Sequence, residues 1–229
     1  MNQYSNINFN KIELRESHLY ITPNRHKKTN NLLIISHGSG GINHININVA
    51  NIACNNMYDV IIIDHFSKRN ISTQYWHDLN ENCTFYDMST DIQNLIQSYS
   101  YENIILLGIS AGATACINAS KSANKVLAIC PALSFNITYD IKNVTIIAGE
   151  KDDWCPIEQA IEYKNKTDCD LIKLPCYHGY LNPKQNKFMA DVMSLRKGYP
   201  KGVTLKYHHY STNKTYKIIN SFLHKSFYS

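Results

Sequence analysis

The stretch "ILLGISAGATACI", residues 105 to 117, runs from aliphatic residues into a turn built almost wholly of small ones, with one hydroxyl, Ser110, between Gly108 and Gly112. Glycines on either side of a serine relieve backbone crowding where a strand doubles back into a helix, and they leave the oxygen exposed. The strand-like "NIILL" lies in front and the helix-compatible "AGATACINASKSA" behind. The five-residue pattern G-x-S-x-G also fits a plain turn in which the serine caps the helix. Its reading therefore depends on what the rest of the chain supplies.

Working outward, short apolar runs recur with helix-length segments between most of them: "LLIIS" 32 to 36, "DVIIID" 59 to 64, "NIILLG" 103 to 108, "KVLAIC" 125 to 130, "VTIIAG" 144 to 149 and "DLIKLP" 170 to 175. Several are apolar at consecutive positions, the mark of strands buried on both faces of a parallel sheet. The class is α/β. The alternating "KIELRESHLYIT", 11 to 22, predicts an extra strand or hairpin at a sheet edge. Helices are expected near 44 to 57, 88 to 100, 111 to 122, 157 to 166 and 212 to 225. The connection from Pro131 to Asn143 is too short for a large lid domain, and the irregular stretch 179 to 207 is expected as a long loop that shapes a pocket. With no internal repeat and no linker, the 229 residues read as one domain, 1–229, with an N-terminal strand region over 1–30 and a catalytic core over 31–225.

Composition narrows the function. A hydrophobic share of 44% and a charged share of 18% are ordinary for a globular chain. The net charge of +5 owes much to residues after 183, such as Lys184, Lys187, Arg196, Lys197, Lys201 and Lys206. Without dense basic runs and interleaved aromatics, they read as a solvated face rather than a nucleic-acid patch. Seven cysteines with no C-x-x-C pair predict reduced thiols, with neither a disulfide framework nor a zinc site. No run approaches 18 apolar residues and the first residues lack an apolar signal core, so the expectation is a cytoplasmic protein without membrane or nucleic-acid partners, a monomer or homodimer.

Acyl transfer by a serine needs an exposed hydroxyl, a base, a group that orients the base, and donors for the developing oxyanion. After Ser110, the candidate acid lies in "IIAGEKDDWCP", three residues past a strand ending at Gly149: Asp152, with Asp153 as the competing carboxylate. The candidate base is His178 in "LPCYHGY", directly after the last strand; its imidazole suits proton transfer at neutral pH. Among ten histidines it is distinguished by following both serine and acid, with His208 and His209 as rivals in a polar segment. "SHGSGG", 36 to 41, offers an oxyanion loop: one donor is expected from the backbone N–H of Ala111, the other from that of Ser39. It has neither the Walker lysine spacing nor a dinucleotide fingerprint. His37 is expected to hold that loop. Arg69, after a strand end, is a candidate contact for an anionic substrate group, or else one half of a surface ion pair.

Taken in order and spacing, "SHGSGGI", "IIIDHFSKR", "GISAG", "GEKDDWCP" and "YHGY" resemble the α/β-hydrolases, and among them the dienelactone hydrolase-like family, over residues 30 to 225. The resemblance implies a mostly parallel sheet of about eight strands flanked by helices, a Ser110, Asp152, His178 triad, no metal or organic cofactor, and action on small esters, lactones or related acyl compounds. Dienelactone hydrolases proper carry a cysteine nucleophile and a glutamate in the oxyanion loop. Here Ser110 stands in the elbow, and glycine or serine stands in place of the glutamate, which points to a serine esterase of the same architecture. Acyl transfer or cyclisation by the same triad, and a catalytically silent binding protein, are the rival readings.

Overall fold

Strands that are apolar at every position need cover on both faces, and the chain provides it. The computed structural model describes residues 11–15, 17–23, 29–71, 83–134 and 137–225. Eight strands form one sheet: β1 (Lys11–Arg15), β2 (His18–Thr22), β3 (Asn31–Ser36), β4 (Asp59–Ile63), β5 (Asn103–Ile109), β6 (Lys125–Ile129), β7 (Val144–Gly149) and β8 (Asp170–Leu174). Their spatial order is β1-β2-β4-β3-β5-β6-β7-β8. The hairpin β1-β2 adds to β4 in antiparallel fashion, and every pair from β4 through β3 to β8 is parallel.

Alternate residues of the central strands enter two separate cores. Leu32, Ile34, Leu106 and Ile146 pack under α2 (Phe85–Gln97), α3 (Ala111–Asn118) and α4 (Ile157–Lys166). Leu33, Ile35, Leu107 and Ile147 pack on the other face, under α1 (His44–Asn55) and α5 (His209–Lys225). From β3 the chain moves to β4 on one side, and β5 then takes the opposite side of β3. The carboxyl ends of β3 and β5 therefore flank the point where the winding reverses, the usual place for a crevice in an open α/β sheet.

The six central strands fall within a residue or two of their expected positions. Helix α2 starts at Phe85 rather than 88, because Thr84 caps it: the Thr84 hydroxyl accepts from the Asp87 N–H while the Asp87 carboxylate accepts from the Thr84 N–H. Helix α5 likewise starts early, at His209, and α3 stops at Asn118 before a 3-10 turn over Ser120–Ser122. The expected long loop over 179 to 207 needs correcting. It contains an antiparallel hairpin of β9 (Asn186–Met193) and β10 (Lys201–Lys206). Both faces of β9 are largely exposed, and the register slips between Lys201 and Val203, so the sequence carries no clean two-residue period there.

Candidate active site

At the end of β5, Ser110 adopts φ 54° and ψ −119°, a conformation that costs a residue with a Cβ about 1–3 kcal/mol. The neighbouring glycines are what permit the turn. A Cβ on Gly108 would lie 2.3 Å from the Gly112 carbonyl oxygen, and one on Gly112 would lie 2.4 Å from the carbonyl oxygens of Ser36 and His37. Helix α3 is thereby seated directly against β5 and β3, and the Ser110 N–H is tied to the Ile129 carbonyl at 2.8 Å. Gly108→Ala is expected to lower the unfolding free energy by about 3 kcal/mol or more, because the clash is with backbone. A urea midpoint equal to that of the wild type would contradict this packing.

Ser110 Oγ lies 3.0 Å from His178 Nε2, and His178 Nδ1 lies 2.8 Å from Asp152 Oδ2. A carboxylate only accepts, so in the neutral imidazole Nδ1 carries the proton and Nε2 is left to accept from the serine hydroxyl. The other Asp152 oxygen accepts from the N–H groups of Trp154 and Cys155 at 2.9 and 2.7 Å. Asp152 and His178 are both buried, and the Trp154 ring packs 5.0 Å from the imidazole. Burial works against a charge on His178, but the Asp152 carboxylate outweighs it and raises the imidazole well above its ordinary range. Of the two adjacent acids, Asp152 is the one that meets His178. Asp153 instead accepts from the Thr204 N–H at 2.9 Å, anchoring β10. The rivals His208 and His209 bond to Ser211 and to Asn213 and Tyr207, away from Ser110.

Facing Ser110 is the loop after β3. His37 Nε2 accepts from the His65 N–H at 3.2 Å, which leaves Nδ1 to donate to the Gly38 carbonyl at 2.7 Å. The same carbonyl accepts from the Gly41 N–H at 3.1 Å. In a trans peptide the C=O and the following N–H point opposite ways, so fixing the Gly38 oxygen fixes the direction of the Ser39 N–H. Burial lowers His37 to about 4, which keeps it neutral and in this tautomer. Ala111 is the first residue of α3, and its N–H has no partner within the helix. Behind the loop His65 bridges the Ser36 hydroxyl and the Asp91 carboxylate, each at 2.9 Å. Ser36 and His65 are fully buried, so this second Ser-His-Asp line is closed to any ligand.

Two cavities meet at Ser110. One is lined, among the described residues, by Phe85, Ala132, Trp154, Cys155 and Leu195, along with Ser39, Ser110 and Ala111. The other also touches Ser39 and Ser110 but opens past His178 toward the hairpin.

No family model matches the chain, and no curated protein matches it significantly. Solved structures do. Est1E from Butyrivibrio proteoclasticus superposes with a TM-score of 0.62 at 13% identity, covering 96% of this chain and 99% of that one. A monoacylglycerol lipase from Paleococcus ferrophilus gives 0.63 at 12%, covering 94% and 99%. A dienelactone hydrolase-like promiscuous phosphotriesterase from metagenomic libraries gives 0.64 at 8%, covering 91% of each. The chain has the α/β-hydrolase fold.

Within that fold Arg69 is not among the described residues that line the two cavities. Its guanidinium holds Asp91 at 2.8 and 3.2 Å and the His65 carbonyl at 2.7 Å, the ion pair that was the other reading of this residue, and it braces the segment around His65. Its partner Asp91 lies 22 residues on, within α2, and nothing in the sequence links the two. The cavity residues Phe85, Trp154, Leu195 and Lys187 were also out of reach of sequence reasoning, since they come from four separate segments. Among the described residues, one group of ligand-type side chains, Cys130, Asp152 and His178, lies within 4.8 Å of one another. Burial holds the Cys130 thiol well above its ordinary range, and the acid and imidazole are bonded to each other, so a protonated thiol backs the pair. None of the seven cysteines is in a disulfide, and all are buried. No helix of the described residues is long and apolar enough to cross a membrane.

Proposed function

We propose that the protein is a serine hydrolase that cleaves small esters or lactones through an acyl-enzyme. The observation that carries this reading is the continuous hydrogen-bonded line from Ser110 Oγ through His178 to Asp152, at a serine held in a strained conformation over a cavity. Ser110 Oγ bonds to the acyl carbon as its proton passes to His178 Nε2. The negative charge that develops on the carbonyl oxygen is met by the N–H groups of Ser39 and Ala111, each such donor typically lowering the barrier by ~3 kcal/mol. His178 then gives the proton to the leaving oxygen as its bond to carbon breaks. A water adds its hydroxyl to the acyl carbon, its proton returns through His178 to Ser110, and the acid is released. Asp152 stabilises the imidazolium in both halves.

Two of the fold neighbours bear the names of hydrolases, a monoacylglycerol lipase and a phosphotriesterase, which agrees with this reading. The test is release of acetate and 4-nitrophenol in equal amounts from 4-nitrophenyl acetate, and ring opening of a γ-lactone panel to the hydroxy acids. His37→Ala removes the shorter of the two hydrogen bonds that hold the Gly38 carbonyl and is expected to lower kcat by about 100-fold, the cost of a donor displaced by about 1 Å. An unchanged kcat in that variant would remove the oxyanion loop from the mechanism.

A further inference from the structure

Resting on the serine hydrolase reading, we infer the substrate class from the way the two cavities divide around Ser110: a short-chain acyl ester whose leaving alcohol is larger and anionic. Orientation follows from proton transfer. His178 Nε2 must reach the leaving oxygen, so the leaving group occupies the cavity that His178 lines and the acyl chain occupies the other. The acyl cavity has about 20 Å³ of free space and, beyond Ser39 and Ser110, side chains without charge: Phe85, Ala132, Trp154 and Leu195 among them. Space of that order fits roughly one water, or the methyl of an acetyl group. Its floor is held rigidly. The Thr114 hydroxyl donates to the Ala132 carbonyl and accepts from the Ala132 N–H, both at 2.9 Å, and the Leu195 N–H donates to the Trp154 carbonyl at 3.0 Å. A longer chain is crowded by backbone-anchored walls.

The leaving-group cavity has about 350 Å³ on the same measure. Ile45, Ile109, Met189 and Leu205 give it apolar walls, while Asn43, Asn182 and Gln185 give it polar ones. Among the described residues no carboxylate lines it, and the one lining residue with a permanent charge is Lys187. Lys187 and Met189 share a face of β9, and Lys187 pairs with Leu205 across the hairpin, so the lysine side chain rises from the same wall that the two apolar side chains build. An anionic group on the far end of the alcohol meets that charge, and an apolar middle meets the walls. A carboxylate and a phosphate monoester share this chemistry.

The experiment is a grid of six esters: the acetyl, butyryl and octanoyl esters of 4-hydroxybenzoate, which is anionic, and of 4-hydroxybenzamide, which is neutral. Each is assayed for kcat/KM with the wild type, Leu195→Ala and Lys187→Glu, alongside fluorophosphonate labelling of Ser110. Acetyl is expected to exceed octanoyl at least tenfold, and Leu195→Ala to shrink that ratio, as crowding by extra methylenes is worth about 10- to 200-fold. Benzoate is expected to exceed benzamide by about fivefold at low salt, the range of one exposed charge, and Lys187→Glu to invert the order. Octanoyl preference, equal use of the two alcohols, or the two variants exchanging their effects overturns the inference. No turnover of any ester with Ser110 labelled overturns it too, while leaving the serine reading intact. No turnover and no label removes both.

Discussion

Replacing Ser110 with alanine is expected to lower kcat by about 10⁶-fold, to the level left by binding and the oxyanion donors alone. The size follows from the arrangement: Ser110 Oγ is the atom that bonds to His178 Nε2, so without it neither nucleophile nor proton transfer remains. Stability should hardly move, because alanine keeps a Cβ at φ 54° and Ser110 makes no side-chain cap to α3. Ser110→Gly separates the two roles. It should be equally inactive yet more stable by about 1 kcal/mol, since glycine adopts positive φ without strain. Residual activity in Ser110→Ala above one part in about 10⁴ would mean that another group attacks the acyl carbon.

Asp152→Asn is expected to lower kcat by about 10⁴-fold while leaving the fold intact. The asparagine oxygen can keep the N–H groups of Trp154 and Cys155, which turns its NH₂ toward His178 Nδ1. A donor there forces the proton onto Nε2, the nitrogen that has to accept from Ser110. The pH profile carries a second signature. A base must be neutral, so activity falls as pH drops through the pKa of His178, and the Asp152 carboxylate, acting against burial, sets that point above the ordinary 6.5. In Asp152→Asn the charge is gone and burial remains, so the residual acid limb should move to lower pH. A profile of unchanged midpoint would mean that Asp152 does not govern the imidazole.

The central strands were legible because helices cover both faces: that double burial writes runs such as "LLII" and "VTII" into the chain. The Ser, acid, His order was legible for a related reason, since each residue follows a strand whose carboxyl end lies at one edge of the sheet. Position along the chain left Asp152 and Asp153 in competition. Only the backbone turn after Gly149 separates them, one aimed at His178 and the other at Thr204. The hairpin over β9 and β10 was hidden, because strands exposed on both faces carry no burial pattern. Arg69 follows a strand end on the same side of the sheet as Ser110, but its charge is satisfied by Asp91, on a helix that no sequence signal connects with it.

The most direct measurement is treatment of the folded protein with a fluorophosphonate, read by intact mass and peptide mapping, for the wild type and His178→Ala. The expected result is one adduct per chain on Ser110 in the wild type and none in the variant. No adduct on a folded wild type, or one on a residue other than Ser110, would contradict an activated serine at the β5–α3 elbow.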